Sequence, residues 1–212
     1  MVFDPRRNQP DAALAMLDAR RSVPPKQLMA PGPDEATLMR MLQSAVRVPD
    51  HGKRVPFRFI RFEGDARHAF GERLAARSLE RNPGASEATI EKDRQRFSYA
   101  PVVVAVIAQL GDDAKIPASE RFSTASCVCF ALLQAAQSLG FGAIWLTGWL
   151  AYDAHVREWL ALGADEQVAG FIHIGTPRMD VPERDRPDPA AMLADWTPDG
   201  IRPSPPSTGA SS

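Results

Sequence analysis

The sequence predicts one principal domain of mixed helices and strands, and three observations carry that expectation. Apolar residues recur at helical spacing in several segments, with Leu38, Met41, Leu42 and Ala45 the clearest case. Runs dense in β-branched and aromatic residues, Phe57–Glu63 and Pro101–Ala108, read as strands. The two patterns alternate, yet no crossover carries a Gly-x-Gly-x-x-Gly loop, so the Rossmann and P-loop readings lose their main support.

In chain order, Asp11–Arg21 reads as a short helix with an apolar side of Leu14, Met16 and Leu17, stopped by Pro24-Pro25. A second helix follows Pro33-Asp34, where Asp34 can cap the free amides of the first turn, and Val48–Gly52 ends it. After the Phe57–Glu63 strand, Ala66–Arg81 is an amphipathic helix broken by Pro83-Gly84, and Ala88–Phe97 a more polar, mobile one. Pro101–Ala108 lacks alternation, which predicts a strand buried on both faces. Ser123–Leu139 is the central core helix, its small residues allowing close approach of another helix or subunit. Phe141–Gly148 is a strand opening into a loop, Asp153–Leu160 a short helix, and Gly170–Pro177 a strand with a sharp end. From Arg178 the chain is rich in Pro, Asp and Arg and cannot form its own core. The expected division is an extension at 1–10, a domain at 11–195 and a Pro/Ser-rich tail at 196–212.

Bulk properties exclude several classes. At 212 residues with a formal charge of −1, a broad attraction to nucleic acid is absent. The apolar run from Pro101 to Ala108 is far short of the roughly 20 residues a membrane span needs. The N-terminus lacks the apolar run of a signal peptide, so a cytoplasmic location is expected. Cys127 and Cys129, one residue apart, are expected to be packing residues in a reducing compartment.

Four short clusters carry chemistry. Arg20-Arg21-Ser22 joins two guanidinium forks and a hydroxyl, a set suited to phosphate, although alone a solvated arginine pair is the commoner reading. Arg47-Val48-Pro49-Asp50-His51 packs a cation, a carboxylate and an imidazole around a rigid turn. There Asp50 can orient His51 or pair with Arg47, or the cluster is a plain surface turn. Trp145-Leu146-Thr147-Gly148 offers an indole, a hydroxyl and a glycine that lets backbone approach an aromatic ligand; a core Trp at a strand end is the equal alternative. Gly175-Thr176-Pro177-Arg178 is a tight strand exit with a phosphate-capable arginine, or simply a turn. His173, inside an apolar strand, reads as a core or interface histidine. No motif supports a metal centre or a nucleophile, so no catalytic side chain is assigned.

These motifs in this order, over about residues 11 to 180, resemble the nitroreductase family and, within it, the small bacterial NAD(P)H nitroreductases. The resemblance implies an α+β fold with a central, mainly antiparallel sheet flanked by helices, and a homodimer with FMN at the subunit interface. Arg20, Arg21 and Ser22 match the family's flavin segment at the phosphate, Arg47 and His51 match positions reaching FMN, one or both from the other subunit, and Trp145, Leu146, Thr147 and Gly148 match the segment beside the flavin. It implies an enzyme taking electrons from NADH or NADPH and passing them, in ping-pong order, to a small nitroaromatic, quinone or related acceptor. A flavin-handling protein with little turnover is the alternative. Three departures stand out: Leu146 replaces a basic residue of close relatives, Lys26 is the nearest substitute for the basic residue after Arg-Arg-Ser, and Arg178 is the sole candidate for a late phosphate-holding cation.

Overall fold

A computed structural model describes residues 10–203, in two compact units divided between Val181 and Pro182. The expected extension lies almost wholly outside the described residues, as does the tail beyond Pro203. The first unit runs α1 (Pro10–Asp18), β1 (Leu28–Met29), α2 (Glu35–Ala45), β2 (Phe57–Glu63), α3 (Asp65–Arg81), α4 (Glu87–Arg94), β3 (Val102–Gln109), α5 (Ala118–Ser138), β4 (Gly142–Leu146), α6 (Ala154–Trp159) and β5 (Glu166–Pro177). None of these helices is long and apolar enough to cross a membrane.

One sheet organises that unit. β5 pairs with β3, β4 and β1, and β3 pairs with β2; every one of these pairings is antiparallel, as the α+β expectation requires. Side chains on a strand alternate faces, and β3 divides accordingly. Val102, Val104, Val106 and Ala108 join the core under α2 and α5, while Val103, Ala105 and Ile107 join the core under α3 and α6. A strand buried on both faces has no polar side to show, which is why its sequence lacks alternation.

Local chemistry fixes the helices. Asp34 caps α2 by accepting from the Thr37 amide at 2.8 Å, and Leu38, Met41 and Ala45 bury its inner face. α4 is capped by Ser86, buries Asp93 and packs on α3. The two come so close that a Cβ on Gly71 would lie 2.1 Å from the Arg94 carbonyl oxygen. α1 ends at Asp18 rather than Arg21, because the Arg21 amide donates to the Gln137 side chain at 3.2 Å instead of continuing the helix. α5 starts five residues before the expected Ser123, its polar first turn having hidden it. Cys129 is a core residue whose thiol is pushed up to about 12 by burial, whereas Cys127 is exposed and so is not the packing residue expected.

β5 starts at Glu166, before the expected Gly170, and contains a bulge. Val106 faces Gly170 but Ile107 faces Val168, so Ala169 is the extra residue. Near its other end His173 is buried against Phe97, with ring centroids 5.4 Å apart and Nδ1 without a partner. The second unit has a 3-10 turn at Pro189–Ala191 and a hairpin of β6 (Ala194–Thr197) and β7 (Gly200–Pro203), in which Trp196 faces Ile201 across the strands and both are exposed.

Two outcomes follow for stability. Gly71→Ala forces a methyl group into a backbone carbonyl that has nowhere to go, and should cost about 1–3 kcal/mol in urea unfolding. His173 is depressed from 6.5 to about 3, by burial first and the Arg96 charge second. The unfolded chain therefore binds the extra proton between those values, and the stability present above pH 6.5 falls as pH drops, by up to about 1.4 kcal/mol per pH unit. Glu166, held near 2 by Arg58, adds its own loss only below its ordinary 4.5. Urea midpoints of His173→Leu should thus be flat between pH 6.5 and 5, where the parent chain slopes; an unchanged slope would refute the assignment.

Candidate functional site

Arg20, Arg21 and Ser22 lie between α1 and the outer edge of the sheet. The Val23 amide donates to the Ala143 carbonyl at 3.0 Å, which fastens the segment to the start of β4. Arg20 Nη1 donates to Ser22 Oγ at 3.3 Å, and Arg21 Nη1 to the Asp18 and Arg20 carbonyls at 2.5 and 3.0 Å. All three side chains are half-buried. Lys26 is turned toward the Tyr99 ring, 5.8 Å from its centroid. Arg178 is tied by its backbone, its amide donating to the Gln27 carbonyl at 2.8 Å, while its side chain is exposed.

Arg47 and His51 belong to a strained loop at the N-terminal end of α5. His51 Nδ1 is 2.7 Å from Glu120 Oε2, and the Thr124 hydroxyl donates to the Pro49 carbonyl at 3.2 Å. Asp50 takes a different job from either expected one: its carboxylate accepts from the Arg54 and Val55 amides at 3.1 and 2.8 Å. That grip holds a turn in which Arg54 is right-handed at φ −77° and three residues around it are left-handed, Gly52 at +68°, Lys53 at +53° and Val55 at +49°. For a β-branched residue this is an outlier costing roughly 1–3 kcal/mol, a kind of strain that clusters at ligand-binding segments.

Trp145, Leu146, Thr147 and Gly148 end β4. The Trp145 indole lies across Gly170, where a Cβ would be 1.9 Å from Nε1, and donates at 3.1 Å to the bulged Ala169 carbonyl. Leu146 and Thr147 are half-buried. Gly148 is required by its φ of +73°, and the place of its missing Cβ is 3.1 Å from Arg96 Nη1.

Behind this loop stands a charged cluster that the motif reading missed. Arg96 grips the buried Asp93 through Nε and Nη2 at 3.2 and 2.7 Å, and Trp149 Nε1 donates to both Asp93 oxygens at 3.3 Å. Arg81 sits 4.4 Å over the Trp149 ring, and Arg77 and Arg81 converge on buried Asp153. The i,i+3 spacing of Asp93 and Arg96 was its sole trace in the sequence, and such pairs are ordinary on exposed helices.

The distances sort these groups. Gln137, which meets Arg21, and Glu120, which meets His51, are separated by about 25 Å of α5 at 1.5 Å per residue. Within one chain the arginine–serine segment and the Arg47–His51 loop are therefore apart. The arginine–serine segment and the Leu146–Gly148 loop share one strand instead, about 13 Å apart from Ala143 to Thr147. Among the described residues no three imidazole, thiol or carboxylate groups gather to hold a metal ion.

Residues 17–176 match the model of the nitroreductase family. "Putative NAD(P)H nitroreductase YdjA" of Escherichia coli K12 is 32% identical over 167 residues, covering 79% of this chain and 89% of that protein. A "Putative NAD(P)H nitroreductase" of Haemophilus influenzae is 33% identical over 165 residues, 77% of this chain and 88% of its own length. Among solved structures, a nitroreductase-like family protein from Bacillus cereus superposes with a TM-score of 0.73 at 18% identity, over 91% of this chain and 96% of its own. A "putative nitroreductase in complex with fmn" from Desulfovibrio desulfuricans gives 0.67 at 20% over 93% and 100%, and the nitroreductase CinD from Lactococcus lactis, in complex with nicotinic acid, 0.68 at 17% over 85% and 97%. Those structures share the fold, and the sequence matches go further: the chain belongs to the nitroreductase family.

Proposed function

We propose that this chain is an FMN-dependent oxidoreductase of the small bacterial NAD(P)H nitroreductase type, working as a homodimer. The observation that carries the reading is β4. Arg20, Arg21 and Ser22 bring two cations and a hydroxyl to its first end, a donor set suited to a phosphate, and the backbone of Thr147 and Gly148 turns away at its other end. An extended ligand with an anionic tail and a flat ring fits that layout, and the fold relative from Desulfovibrio desulfuricans was solved with FMN.

The homodimer reading is supported by the roughly 25 Å of α5 that separates the contact of His51 from that of Arg21 within one chain. In this reading one or both of Arg47 and His51 come to the ligand from the partner. A cleft of about 440 Å³ between α2 and α5, flanked by exposed Phe130 and Leu139, and the exposed Leu14, Met16 and Leu17 of α1 leave apolar surface for that partner.

When bound, FMN supplies the electron chemistry between a reduced nicotinamide and an acceptor. The chain's own part is to bind and orient: Arg20, Arg21 and Ser22 hold the phosphate, Asp50 keeps the strained loop that presents Arg47 and His51, and the Trp145 indole anchors the Leu146–Gly148 segment. NADH or NADPH and a small nitroaromatic or quinone use the same space in turn, which gives a ping-pong order.

Purified protein should be yellow and bleach on anaerobic mixing with NADH or NADPH, the colour returning with a nitroaromatic. A colourless chain that takes up no added FMN would sink the reading, and a yellow one inert to both nucleotides would point to flavin handling. Arg20→Ala and Arg21→Ala should each weaken FMN binding about tenfold by fluorescence titration, against less than twofold for the sheet-edge change Arg61→Gln. Sharing across the interface has its own test. Arg21→Ala and Arg47→Ala homodimers are each weakened, but their heterodimer regains one intact site of two, so about half the FMN should bind with parental affinity. No recovery would place both arginines in one chain's site.

A further inference from the structure

Arg96, marked in the sequence only by its i,i+3 spacing from Asp93, stands directly behind the Leu146–Gly148 loop. Two of its nitrogens are spent on Asp93, and the third, Nη1, is aimed at Gly148 from 3.1 Å of the missing Cβ. The guanidinium is held rigidly: Asp93 is 4% exposed, and its oxygens are further fixed by the Trp149 indole. With Arg77, Arg81 and Arg96 set against the buried Asp93 and Asp153, the cluster behind the loop carries more guanidinium than buried carboxylate. The exposed Glu80 is 3.0 Å from Arg77, so that with it the three guanidiniums meet three carboxylates.

We propose that Arg96, clamped by Asp93, is the fixed cation that sets the reduction potential of the flavin bound at the Leu146–Gly148 loop. The proposal rests on the FMN reading above. Two-electron reduction with uptake of one proton adds a negative charge to the ring system, and a cation beside the ring favours that reduced form in proportion to its proximity. Leu146 contributes no charge at this loop, and Arg96 is the cation whose Nη1 stands against Gly148. Arg96 is thus a positioning and tuning residue rather than a catalytic one.

Opposite signs make the test. Full-length Asp93→Asn, Arg96→Gln and Arg96→Lys, loaded with FMN, are titrated anaerobically against a redox dye while flavin absorbance is read. Arg96→Gln should shift the equilibrium toward the oxidised form about tenfold, which is about 30 mV for a two-electron couple. Asp93→Asn, which frees the cation from its counter-charge, should shift it the other way by at least about threefold, and Arg96→Lys should stay within about threefold of the parent. A merely structural role moves Arg96→Gln and Asp93→Asn in the same direction, and that result overturns the proposal. So does an Arg96→Lys shift as large as that of Arg96→Gln, a comparison that decides the matter if Asp93→Asn fails to fold. If the parent chain takes up no FMN, the functional reading falls and this proposal with it; if it takes up FMN and the potentials do not separate, this proposal falls alone.

Discussion

The twelve residues of β5 must satisfy their backbone on both edges while lying between two hydrophobic layers. No water is available there, so each amide and carbonyl needs a strand beside it. β3 supplies one edge, and on the other β4 meets Phe171 to Gly175 and β1 the last two residues. Most other features are consequences. The helices on either face exist to cover this sheet, and the segments that carry charge are the places where chain leaves it. Ala169 is the one point where the ladder is interrupted, and the carbonyl released there is taken up by Trp145.

Two elements then act as rulers. β4 puts the arginine–serine segment and the Leu146–Gly148 loop at a separation set by strand rise, and α5 puts the Arg47–His51 loop at a separation set by helix rise. Neither can be shortened by side-chain motion. A binding site built on such parts gains its geometry from secondary structure and uses loops only for the last contacts, which is how a half-exposed arginine pair can be specific. Asp50 and Asp93 play matching parts in this scheme, each using a carboxylate to immobilise groups that would otherwise be loose.

Much of the fold was legible because strong periodicity and caps coincide with burial. Leu38, Met41 and Ala45 with Asp34 ahead of them, or the unbroken apolar run of β3, leave little room for another reading. What was lost was lost for physical reasons. β1 is two residues between prolines and has no period to detect. The first turn of α5 and the first residues of β5 are polar at the sheet margin, so pattern began late in both. The β6–β7 hairpin lies in a stretch whose proline and charge content reads as irregular. The site divided the same way: contiguous clusters such as Arg20-Arg21-Ser22 were visible, but their partners were not. Gln137, Glu120, Gly170 and Arg96 are each remote in sequence from the residue they meet, and a lone Asp93–Arg96 spacing resembles any surface ion pair. Asp50 was visible and misassigned, because its backbone partners Arg54 and Val55 leave no trace in side-chain chemistry.

The contact between Trp145 and Gly170 has a consequence for how such sequences change over time. An indole on one strand and an absent side chain on the next form a single packing unit, since a methyl group at 170 would occupy the space of Nε1. The two positions are not free to vary separately. A lineage that trades the glycine for any larger residue must first, or at the same step, give up the indole. The bulge carbonyl then loses its donor, and the extra residue at 169 loses its reason to persist. Three positions on two strands should therefore drift together: an aromatic N–H at 145, a glycine at 170 and an insertion at 169 retained as a set or discarded as one.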